Sequence, residues 1–236
     1  MTFLGYIDLY CERTASGFWN EPINAISNVA FLIAAWIAWR AFRGSDSRSM
    51  MDLVLIGLAG GIGVGSFLFH TFANGQTELL DVIPIWTFVA AYVGTVIFRL
   101  SGGNHMRTVR ILVIVILCVG VSMWATGGDV TTDDPAGPDL LNGSLQYLPA
   151  LVALWGFAIV TLVRGHSART LAVTAAACFT VSLGFRTIDL MTCEATGIGT
   201  HFLWHVLNGA MVLALLLALI NHVPAVRTPR RAVSDL

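Results

Sequence analysis

The sequence predicts an all-α fold: an integral membrane bundle of seven transmembrane helices, N-terminus outside and C-terminus cytoplasmic. Three observations lead there. Only 11% of the 236 residues are charged and 56% are hydrophobic, against about 25% charged in a soluble domain. Seven apolar stretches each approach the ~20 residues a helix needs to cross hydrocarbon with its backbone bonds satisfied internally. The arginines, finally, sit on alternate connectors. The basic side chains are all arginine, 13 against 14 acidic ones, and the net charge of -1 supplies no field to hold nucleic acid.

Residues 1–21 form a polar extracytoplasmic segment. They carry Asp8, Glu12 and Arg13 and lack the apolar run of a cleavable signal, so the first span is expected to target itself. Apolar stretches follow at 22–43, 50–72, 79–100, 109–126, 144–164, 168–188 and 200–221, within a membrane domain covering 22–221, and 222–236 is a cytoplasmic tail. The fourth stretch is the shortest, but VRILVIVILCVGVSMWAT has no charge after its first arginine. Arg40, Arg43 and Arg48 flank the first connector, Arg99, Arg107 and Arg110 the third, Arg164 and Arg169 the fifth, and Arg227, Arg230 and Arg231 lie in the tail. Positive flanks stay in the cytoplasm during insertion, which fixes that side. The other side keeps only Arg13 and Arg186 and gathers most of the acids, including the turn-rich loop 127–143. Trp36, Trp39, Trp86, Trp124, Trp155 and Trp204 read as interfacial anchors or packing residues. Cys118 and Cys178 lie in apolar runs as small hydrophobes, whereas Cys11 and Cys193 lie in polar connectors, where pairing requires an oxidising compartment.

An ionisable group inside a span is costly and calls for a partner or a task. Ser66 and His70 stand four apart near the outer end of the second span, Asp81 enters with the third at that depth, and His201 and His205 stand four apart at the outer start of the seventh. Topology thus brings three histidines, one aspartate and one serine into one layer. Three imidazoles with one place left for water are the ligand set of an open catalytic zinc site. Between His201 and His205 lie Phe202, Leu203 and Trp204 and no glutamate, so a water-activating base must come from elsewhere, and Asp81 is the best-placed carboxylate. Each residue also has an ordinary explanation: hydrogen-bonded packing for the histidines, a bond to its own helix carbonyl for Ser66, a cap or an ion pair with Arg186 for Asp81. His105, His166 and His222 read as solvated loop residues, and Arg186 with Asp189 as an ion pair. On the same outer side Asp8, Glu12, Thr14 and Glu21 precede Asn24, Ser27 and Asn28. Composition favours an acidic segment with helix-capping Asn and Ser, while the carboxylates also form a hard-oxygen set suited to calcium.

DLYCER, NEPINAISN, GVGSFLFH with LLD beyond it, RTIDLMTC and HFLWHVLNG occur in this order and spacing in the alkaline ceramidases, which the chain resembles, members of the CREST superfamily of seven-span membrane hydrolases. The resemblance implies zinc held by His70, His201 and His205, Asp81 orienting or deprotonating a water, and Ser66 donating to the developing oxyanion. The reaction it implies is hydrolysis of the ceramide amide to a sphingoid base and a fatty acid, so that a membrane lipid is the expected partner. It also implies a calcium site from Asp8, Glu12, Thr14 and Glu21 with the Tyr10 carbonyl, and a disulfide joining Cys11 to Cys193. Here the family's Asp-Trp-Cys-Glu reads Asp8-Leu9-Tyr10-Cys11-Glu12, with one residue inserted, and Thr14 stands where asparagine is usual. A hydrolase of another N-acyl lipid is an alternative, as is a seven-span lipid receptor or binding protein with a structural metal. A structural site should be closed by a fourth protein ligand, which only Asp81 could supply. No obligatory protein partner is evident.

Overall fold

The structure, a computed structural model, describes residues 6–125 and 141–226, the side chains of 118–119 and 122–125 excepted. The loop expected at 127–143 therefore lies almost wholly outside the described residues, as do Arg227, Arg230 and Arg231 and the side chains of Cys118 and Trp124. Every regular element among the described residues is helical: α1 (Pro22–Ser27), α2 (Val29–Gly44), α3 (Met50–Phe72), α4 (Gly75–Leu100), α5 (His105–Ala125), α6 (Leu148–Val163), α7 (Arg169–Thr187), the one-turn α8 (Cys193–Thr196) and α9 (His201–His222), with short 3-10 turns before α6 and α8. Six helical stretches are long and apolar enough to cross a membrane: Pro22–Gly44, Met50–Phe72, Gly75–Leu100, Ser144–Val163, Arg169–Thr187 and His201–His222. They fall on six of the seven expected spans. Helix α5 occupies the place of the remaining one.

Hydropathy located these helices better than their ends. The third span was expected from residue 79, but α4 starts at Gly75, because Asn74 accepts the Gln76 and Thr77 amides at 3.0 and 3.1 Å while Thr77 Oγ1 accepts the Asn74 amide. This reciprocal cap satisfies donors the helix start would otherwise leave bare. Only Ala73 and Asn74 separate α3 from α4, with Ala73 in the left-handed region at φ 45°. The two helices therefore form a tight hairpin that brings the end of α3 beside the start of α4.

The packing order is α5, α4, α3, α2, α9, α7, α6, with α9 also against α3. Phe31, Leu55, Ala59, Ile62, Phe88, Leu216 and Leu219 form the core between α2, α3, α4 and α9, and Tyr92 donates across it to the Leu215 carbonyl at 3.0 Å. Ile33, Trp36, Ile83, Ile114, Ile116 and Ile159 face outward, the side presented to lipid when a bundle spans a membrane. At the end away from the N-terminal segment, buried Arg99 pairs with Asp52 and donates to the Val223 carbonyl, linking α3, α4 and the end of α9.

The N-terminal segment folds onto the other end of the bundle. Ile7 donates to the Ala73 carbonyl, Cys11 is joined to Cys193 by a disulfide, and the Cys11 amide donates to Asp189. Asp189 also accepts the Thr200 and His201 amides at 2.7 and 2.9 Å, so a fully buried carboxylate caps α9 from outside the helix. Gly199, at φ 65°, makes that cap possible: a Cβ there would lie 2.1 Å from the Asp189 oxygen. The ion pair expected between Asp189 and Arg186 does not form, because both Asp189 oxygens serve backbone amides.

Candidate metal centre

Helix α3 delivers His70 from its last turn, and α9 delivers His201 and His205 from its first two. All three imidazoles are buried, and each offers a nitrogen within 4.8 Å of the others. Their ring centroids are 4.5 to 5.3 Å apart. Among the described residues this is the one group of three or more His, Cys, Asp or Glu side chains so gathered.

Partners behind two of the rings set which nitrogen faces inward. His70 Nδ1 lies 2.5 Å from Glu21 Oε2, so its proton belongs on that bond and Nε2 is left bare. His205 Nδ1 lies 2.8 Å from Ser27 Oγ, and that hydroxyl donates to the Asn24 carbonyl at 2.7 Å. Having spent its proton, Ser27 accepts from His205 Nδ1, which again frees Nε2. The third ring is held by stacking: Tyr10 lies on His201 with centroids 3.6 Å apart and planes 15° apart, while His201 Nδ1 is buried without a hydrogen-bond partner. Three buried imidazoles, each with a nitrogen within 4.8 Å of the others, suit a divalent N-ligand metal better than a packed core.

Asp81 and Ser66 share one cavity wall with His201 and His205, in a cavity of about 200 Å³. Asp81 Oδ1 is buried without a hydrogen-bond partner. Gly65 sets this approach: a Cβ on it would lie 1.9 Å from the Leu80 carbonyl oxygen, so the two backbones touch one residue before Ser66 and one before Asp81. Four of the five residues of the expected layer thus line one cavity, and the fifth, His70, stands beside it against the rings of His201 and His205.

The residues expected to hold calcium are placed differently. Both Glu12 oxygens accept backbone amides of α1, from Ile23 at 2.7 Å and Asn24 at 2.8 Å, so Glu12 caps that helix. Burial pushes its carboxyl up, opposed by those amides. Glu21 is ion-paired with Arg13 through one oxygen and bonded to His70 and Asn24 through the other. Burial works to raise its carboxyl, but the hydrogen bonds from His70, Arg13 and Asn24 hold it below the ordinary value. Asp8 and Thr14 are exposed, and the Tyr10 carbonyl accepts the Arg13 amide. Asp8, Glu12 and Glu21 do not bring three oxygens to one point, so the carboxylate set does not fit a calcium ion as arranged.

Several wall residues carried no sequence signal. Trp204 and Trp86, expected as interfacial anchors or packing residues, line the cavity with Tyr147. Arg186 donates to the Tyr10 hydroxyl at 3.1 Å and lies over the rings of Tyr10, Tyr147 and Trp204 at 5.4 to 5.7 Å. Burial pushes the Tyr10 phenol up to about 12, so it stays protonated at neutral pH. Ser27 and Tyr10 reach the histidines across more than 170 residues of chain, a distance no spacing rule spans.

A family model described as Ceramidase matches residues 7–231, nearly the whole chain. No curated protein matches it.

Proposed function

Since the chain belongs to the ceramidase family, we propose that it hydrolyses the amide of ceramide, releasing a sphingoid base and a fatty acid, at a zinc ion held by His70, His201 and His205. The observation that carries this reading is the convergence of three buried imidazoles, two of which share a cavity wall with a carboxylate and a hydroxyl. When bound, zinc would polarise the amide carbonyl and bring the pKa of water toward neutrality. Asp81 takes the proton from the attacking water and returns it to the departing amine nitrogen as the C–N bond breaks. Ser66 donates its hydroxyl hydrogen to the carbonyl oxygen as charge gathers there. Tyr10 holds His201 by stacking, and Glu21 and Ser27 hold the other two rings.

The membrane arrangement proposed with this chemistry has α5 as a seventh crossing and the N-terminal segment outside. The Cys11–Cys193 disulfide supports that orientation, since such bonds persist on the oxidising side of a membrane, and it lies on the side that arginine placement leaves outside. The site then opens near the outer headgroup level, where a ceramide amide is reached without the lipid leaving the bilayer.

The experiment is fatty-acid release from a short-chain ceramide by the purified protein in detergent, paired with elemental analysis. One zinc per chain and steady turnover are expected, both lost in His70→Ala while the protein still inserts. Full turnover in that variant overturns the reading. Zinc binding without turnover on any N-acyl lipid would make the metal structural.

A further inference from the structure

We propose that the Arg13 guanidinium is the resident cation of the N-terminal acidic cluster, taking the place a calcium ion was expected to fill, and that it positions His70 through Glu21. The inference rests on His70 being a metal ligand and on nothing else in the preceding reading.

Arg13 is buried, though a charged side chain in a polar N-terminal segment would ordinarily reach for solvent. Its donors are all turned inward: Nε to Glu21, one terminal nitrogen to the His70 carbonyl at 2.6 Å, and the other toward the Gly17 carbonyl at 3.4 Å. The same residue, His70, is therefore gripped twice. Its backbone oxygen accepts from Arg13, and its ring Nδ1 is bonded to the carboxylate that Arg13 neutralises. A planar guanidinium can bridge a carboxylate and a carbonyl in this way, which a spherical ion or a lysine ammonium does not reproduce. The charges point the same way. Glu12 has both oxygens on backbone amides and Glu21 has both engaged, so a divalent ion would have to compete with those bonds and would face a fixed positive neighbour. A carboxylate behind a ligating imidazole sets the ring's tautomer and orientation, and its loss typically lowers metal affinity about 10–100-fold.

The test uses the full chain, purified in detergent, and needs no lipid substrate. Calcium chloride titrated into calcium-free protein is expected to give no saturable heat and no change in Tm; stoichiometric calcium binding with a raised Tm overturns the proposal. Zinc affinity, read by competition with a chromophoric chelator, is expected to fall about 10–100-fold in Arg13→Gln, with Arg13→Lys between that variant and the unsubstituted protein. Unchanged zinc affinity in Arg13→Gln, or in Arg13→Lys where Arg13→Gln does not fold, overturns it equally. A protein that binds zinc with this Arg13 dependence yet leaves ceramide intact would sink the ceramidase reading alone.

Discussion

Ser27 shows how a residue with no chemistry of its own can govern a site. Its hydroxyl hydrogen is used on the Asn24 carbonyl, and its lone pair then dictates where the His205 proton resides. Ser27→Ala should therefore weaken zinc binding by about 10–100-fold and lower turnover with it. Ser66→Ala should leave zinc content unchanged and lower kcat by about 10²–10³-fold, the usual cost of one oxyanion donor. Zinc stoichiometry and kcat measured on both variants separate the two roles; zinc loss in Ser66→Ala, or none in Ser27→Ala, would contradict the assignment. The three histidines, Ser66 and Asp81 were legible in the sequence because i, i+4 spacing and alternating topology put them at one depth. Glu21 behind His70, Ser27 behind His205 and Tyr10 upon His201 were not. Those contacts arise where the N-terminal segment and α1 close over α3 and α9, and no local pattern encodes that closure.

Between elements, the α3–α4 contact is the one whose geometry is least forgiving. Gly65→Ala would drive a methyl into the Leu80 carbonyl, forcing α4 outward and drawing Asp81 away from Ser66 and the histidines. A stability loss of about 1–3 kcal/mol, as for other overpacked contacts, should accompany a loss of turnover larger than stability alone explains. Gly57→Ala on the same helix meets nothing within 4 Å and should be neutral or mildly stabilising. Thermal melts and turnover of the two variants decide it, and a fully active Gly65→Ala would show that the helices need not touch. The hairpin itself was only partly legible. Hydropathy located both helices, but the Asn74–Thr77 cap starts α4 four residues before its apolar run, through side chains that hydropathy counts as polar. The interruption at Asn28 that divides the first expected span into α1 and α2 was equally invisible to it.

Across the whole molecule, the Cys11–Cys193 link closes a loop spanning 182 positions and pins the N-terminal segment over the three histidines. Loops of that length gain most from closure in the unfolded chain, and loss of such a bond typically costs about 2–5 kcal/mol. Cys11→Ser should lower Tm and make zinc easier to strip, because the segment it releases carries Tyr10, Arg13 and Glu21. Thermal scans with and without reductant check this, and an unchanged melt under reduction would contradict it. Membrane character was plain from composition, since so little charge cannot cover a soluble globule.

The cavity beside the histidines holds about 200 Å³, less than the roughly 300–1,000 Å³ of pockets that enclose a drug-sized ligand whole. A two-tailed lipid would thus insert only its polar junction, leaving its hydrocarbon in the surrounding film. Encounter becomes a two-dimensional event, paced by how crowded the film is with substrate rather than by how much is dispersed in the tube, so that diluting the film with inert amphiphile would slow the protein at constant total substrate.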